Sequence, residues 1–139
     1  MVKSILSVIA GFLTMAIVVM LGTFAAAAAL LPGGLASMRN SQGPPPTPTG
    51  TYLVANLVVS FIAALLGGWV AARLAPGSPR AHVIALAVVV VLMSFATAMT
   101  QKNAVSSQPG WYPASIAVIG VAGVLLGGLL LFRPVAAIP

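Results

Sequence analysis

The stretch Tyr52 to Arg73, YLVANLVVSFIAALLGGWVAAR, decides the fold of this chain. It carries no charge before its final arginine. At about 1.5 Å per residue it is long enough, as a helix, to cross a hydrocarbon core of about 30 Å. Small residues recur along it at every fourth position, Ala63, Gly67 and Ala71 on one line and Ala64, Gly68 and Ala72 on another. Lipid tails are as apolar as leucine, so helices in a bilayer associate by close backbone approach along such lines. Ser60 and Asn56 continue the second line.

Three further apolar runs surround this one, and the expected spans cover 4–31, 52–74, 82–100 and 112–132 of a single domain, 1–139. Continuous apolar runs of this length predict helices, because a transmembrane barrel would show short strands with alternating polar positions. The composition agrees: 60% of the 139 residues are hydrophobic and 4% charged, with a mean hydropathy of +1.15, against roughly a quarter charged in a soluble domain. The first run has a rival reading as a signal peptide, since Lys3 precedes it and Ala25 to Ala29 follow. Its apolar part exceeds the roughly 7 to 15 residues of a signal core, so it is read as a span. The fold class predicted is all-α integral membrane, four transmembrane helices in an up-down-up-down bundle.

The connections support that order. The first, an external loop over 32–51, contains five prolines in Pro32 to Gly50 and cannot continue a helix. The second, APGSPRA at 75–81, is a tight turn that makes the second and third spans antiparallel neighbours. The third ends in Pro109-Gly110, with Pro113 in the first turn of the fourth span, where proline is tolerated.

Charge is one-signed, with six Lys and Arg and no Asp or Glu. The cations stand singly at Lys3, Arg39, Arg73, Arg80, Lys102 and Arg133, each at or beyond the end of an apolar run. Nucleic-acid binding needs a clustered basic face and is set aside. The positive-inside rule puts Lys3, Arg73, Arg80 and Arg133 on the cytoplasmic side and Arg39 and Lys102 outside. The chain is therefore expected in the cell membrane with both termini cytoplasmic, its inner cations on anionic headgroups. Tyr52, Trp111 and Tyr112 would anchor the outer interface, and Trp69, Phe132, Arg73, Arg80 and Arg133 the inner one.

An internal repeat is visible. A shift of sixty lays Tyr52 on Tyr112, Gly67-Gly68 on Gly127-Gly128 and Arg73 on Arg133. VVMLGTFAA at 18–26 matches VVVLMSFAT at 89–97 more weakly, under a shift of seventy-one. Two tandem helical hairpins in one orientation are the reading this suggests, a parallel repeat of the kind some transporters use.

Reactive chemistry is sparse. Without carboxylates the chain lacks the usual proton relays, hard-metal ligands and acid/base pairs. Without cysteine it has no thiol chemistry. His82 alone cannot assemble a metal site. No catalytic, cofactor or metal residue is assigned. The candidate residues are instead helix-packing positions, Ala64, Gly67, Gly68, Ala71, Ala72, Gly120, Gly123 and Gly127. Asn56, the amide well inside a span, needs a hydrogen-bond partner from Ser, Thr or backbone. Ser60 lies one turn from it.

The segment GGWVAARLAPGSPRAHVIALAV, followed after the third span by PGWYPASIAVIGVAGVLLGG, resembles a loose group of small bacterial four-helix integral membrane proteins. The features that match are the double glycine and Arg73, the turn holding Arg80 and His82, and Trp111-Tyr112. The resemblance implies an architecture and a bacterial inner membrane, and no activity.

Two functions fit the residues. The first is a non-enzymatic structural, interaction or accessory subunit that packs as a homo-oligomer or in a larger membrane complex through its small-residue faces. The alternative is a small transporter or channel for a neutral or lipid-like solute, with Asn56 as the contact. The small multidrug exporters share only the size of this chain, because they depend on a membrane-embedded glutamate that is absent here.

Overall fold

A computed structural model describes residues 2–31, 33, 36, 48–101 and 109–130. Most of the proline-rich connection, Arg39, Lys102, the end expected for the fourth span and its anchors Phe132 and Arg133 lie outside the described residues. The described chain is helical throughout its regular structure: α1 Val2–Leu30, α2 Gly50–Leu74, α3 Pro79–Gln101 and α4 Tyr112–Leu125, the last followed by a π-helical turn, Leu126–Leu130. All four helices are long and apolar enough to cross a membrane.

The helix starts differ from the expected ones for local reasons. α2 begins at Gly50, two residues earlier, because Thr49 takes an extended conformation (φ −69°, ψ 153°) and its side chain accepts a hydrogen bond from the Tyr52 amide. A threonine cap satisfies one of the four unpaired amides at a helix start. α3 begins at Pro79 instead of 82, since proline's fixed φ suits a first turn. Gly77, at φ 90°, turns the chain between α2 and α3, a value a side chain would strain.

α2 is the hub and contacts α1, α3 and α4. Against α1 the contact positions run in opposite senses: Gly11 meets Gly67 and Ala71, Gly22 meets Val59, and Ala27 joins a cluster with Tyr52. Against α4 they run in the same sense, from Asn56 with Tyr112 to Leu65 with Gly127. α3 completes the bundle beside α4, with Val90 near Gly120 and Val83 near Gly128.

Two apolar clusters fill the interior. One is built from Ala64, Ala71, Ala72, Val83, Leu86 and Val124 with neighbours; the other joins Ala27, Tyr52, Leu53 and Tyr112. The distribution inverts that of a water-soluble domain. Ala27, Ala63, Ala64, Ala71 and Ala72 are fully buried, while Ile5, Leu13, Ile17, Val58, Leu92 and Phe95 are exposed. Soluble chains rarely expose a contiguous apolar surface of this extent.

Candidate functional site

Asn56 lies on α2 between the two apolar clusters, one turn after Tyr52. Its side chain joins three helices. Thr23 Oγ1 of α1 donates to Asn56 Oδ1 at 2.9 Å. Asn56 Nδ2 donates to the Tyr112 hydroxyl of α4 at 2.6 Å. Nδ2 can only donate, so the tyrosine oxygen is the acceptor and keeps its own proton. Ser60 Oγ turns back on its own helix and donates to the Asn56 main-chain carbonyl at 2.7 Å, the i to i−4 bond by which a buried hydroxyl satisfies itself. No buried side-chain nitrogen or oxygen among the described residues lacks a partner.

The junction depends on where α4 starts. Tyr112 N bonds the Pro109 carbonyl at 3.0 Å, which places the ring at the first residue of the helix, against α2. It is 2% exposed, and Trp111 packs edge-on against it at 5.9 Å. Tyr52 and Tyr112, expected as outer-interface anchors, both bury their rings in one interhelical cluster at that end of the bundle, because the start of α4 packs on α2 instead of standing clear of it. Trp111 remains exposed. At the opposite end of α2 the Arg73 guanidinium sits 5.8 Å from the centre of the exposed Trp69 ring. Arg80 is exposed as well.

The packing residues read from the sequence are all buried. Gly11 and Gly67 meet backbone to backbone: a methyl added to either would stand 2.7 to 2.8 Å from the other's carbonyl oxygen. A methyl on Gly68 would strike the Val124 carbonyl, and one on Gly127 the Leu65 carbonyl. Gly123 faces the Ala64 methyl and Gly120 faces Val90. The two double glycines, equivalent under the sixty-residue shift, divide their work in opposite order. Gly67 faces α1 and Gly68 faces α4, whereas Gly127 faces α2 and Gly128 faces α3. The π-helical turn holds both Gly127 and Gly128, and a turn with i→i+5 bonding changes which face each residue presents.

Beyond this junction, Phe12, Met15, Met93, Ser94, Tyr112 and Pro113 border a groove of about 210 Å³ between α1, α3 and α4. Among the described residues no group of three or more His, Asp, Glu or Cys comes together to hold a metal ion. Sequence reasoning called for a Ser, Thr or backbone partner for Asn56, and Thr23 supplies one. It missed Tyr112, whose position at a helix start reads as an interfacial ring.

The chain matches no family model, no curated protein and no solved structure.

Proposed function

We propose that this protein is a non-enzymatic, multi-pass membrane protein, a structural or accessory subunit whose small-residue faces hold a four-helix bundle and present apolar surface to lipid and to partner helices. One observation carries the reading: the Asn56 amide is spent on Thr23 and Tyr112, binding helices together. A solute path would need polar groups turned toward it. The order of helices is up-down-up-down, supported by the opposed sense of the α1 and α2 contacts, and both termini are cytoplasmic. Lys3, Arg73 and Arg80 then share the inner side, as the positive-inside rule asks.

Two experiments test this. Single cysteines at Ser41, Ser78 and Ser106 should label from outside, inside and outside; any other pattern overturns the orientation. Purification in mild detergent should retain a second copy or a partner at fixed stoichiometry. A reproducibly solitary monomer, or a solute flux in proteoliposomes that disappears in Asn56→Leu, overturns the functional reading.

A further inference from the structure

α1 and α3 leave a long cleft between their amino-terminal halves, about 480 Å³ in volume, walled mainly by Ile5, Val8, Ile9, Ala85 and Val89 with the His82 ring toward one end. The positions rise together along the two helices, so the first turns of α1 and α3 lie at the same end of the cleft. Lys3 immediately precedes the lining residue Ser4, Arg80 immediately precedes the lining residue Ala81, and both cations are exposed. His82 Nδ1 lies 2.8 Å from the Ser78 carbonyl. A carbonyl only accepts, so Nδ1 carries the proton, and Nε2 of the neutral ring can accept a hydrogen bond from a headgroup hydroxyl. The amino end of α3 adds the positive end of its helix dipole.

We propose that this cleft is a binding site for one anionic phospholipid, with an acyl chain along Ile5, Val8, Ile9, Ala85 and Val89 and the phosphate at Lys3 and Arg80. Charge complementarity selects the occupant. The sequence carries six cations and no carboxylate, so no acidic side chain neutralises the mouth of the cleft. The apolar walls distinguish a lipid from free phosphate, because a soluble anion would gain nothing from them. Basic pockets between helices at a membrane surface recognise headgroups in this way. The inference rests on the membrane reading and adds a defined lipid to it.

Native mass spectrometry of the full chain, with phosphatidylglycerol and phosphatidylcholine of matched acyl chains, tests it. The expected result is a bound phosphatidylglycerol at one-to-one stoichiometry in preference to phosphatidylcholine. Binding should fall about fivefold in Lys3→Gln and again in Arg80→Gln, the loss expected for about 1 kcal/mol per surface cation. Ala85→Phe, which fills the cleft and leaves the charges, should reduce phosphatidylglycerol binding as well, and glycerol phosphate should not displace the lipid. Equal binding of the two lipids, unchanged binding in both charge variants, or displacement by glycerol phosphate overturns the site. Extraction of the wild-type chain from membranes by alkaline carbonate separates the two readings. A protein that stays in the bilayer but shows no lipid preference sinks the site alone, whereas one that is extracted sinks the membrane reading.

Discussion

The two ends of α2 are held by different physics. Around Gly67 and Gly68 the helix touches its neighbours through backbone, with the Gly11 carbonyl on one side and the Val124 carbonyl on the other. Around Asn56 it touches the same two helices through side chains, with Thr23 of α1 and Tyr112 of α4. The glycine end fixes distance, since nothing larger than hydrogen fits. The asparagine end fixes rotation and register, since two hydrogen bonds of 2.9 and 2.6 Å form at only one setting of three helices. In the lipid surroundings we propose for this bundle, neither device gains from excluding water, and shape and hydrogen bonding remain.

The sharpest way to break this contrast is at the glycines. Gly68→Val and Gly127→Val each drive a side chain into a carbonyl of the facing helix. Each should cost about 3 kcal/mol, the upper part of the overpacking range, read as reversible unfolding in mixed micelles. A loss below about 0.5 kcal/mol, the range of ordinary surface changes, would mean that the helices do not approach as described. Gly110→Ala is the internal control, because nothing stands within 4 Å of the added methyl, and it should leave stability unchanged.

The asparagine end should respond more mildly. Asn56→Leu removes both interhelical bonds and should cost about 1 to 2 kcal/mol, as interhelical hydrogen bonds in membranes are individually modest. Tyr112→Phe and Thr23→Val each remove one and should cost about 0.6 kcal/mol in the same assay. The double variant Thr23→Val with Asn56→Leu should cost no more than Asn56→Leu alone, because the pair shares one bond. Full additivity would show that Thr23 and Asn56 act separately.

The smallest effect is expected at the exposed Arg73 and Trp69 pair. Trp69→Leu should change stability by about 0.5 kcal/mol, the value of a solvent-accessible cation–π contact. Arg73→Gln, which keeps the ring and removes the cation, should shift Trp69 fluorescence before any change appears in unfolding. A change as large as that of Gly68→Val would make this end of α2 a packing centre and erase the contrast.

Much of this was legible in the residues. Runs of apolar side chains bounded by single cations set four helices, and their length follows from rise per residue alone. The i to i+4 lines through Ala64, Gly68 and Ala72 marked the buried face of α2, because a helix places such positions above one another. Thr49 was written into a loop although its cap geometry lengthens α2 by two residues; capping depends on a backbone angle that composition does not display. The contacts of Tyr112 were not legible. An aromatic at a helix start gives no sign of whether its ring also enters an interhelical contact, which the packing of α4 on α2 decides.

The internal repeat shows the same limit. A shift of sixty makes Gly67-Gly68 and Gly127-Gly128 equivalent as letters, yet their contacts are exchanged in order between the hairpin partner and the facing helix. Periodicity specifies which residues share a face. It does not specify a π-helical turn, which changes that face within a few residues.

By itself the sequence determined four apolar helices, a one-signed charge at their ends and an absence of carboxylate and thiol chemistry, because these follow from residue type and local spacing. Tertiary structure alone decided that Asn56 closes on Thr23 and Tyr112, that Gly11 answers Gly67, and that α1 and α3 leave a cleft beneath their cations. Those facts join residues at least 33 positions apart, and only the packing of rigid helices brings such positions together.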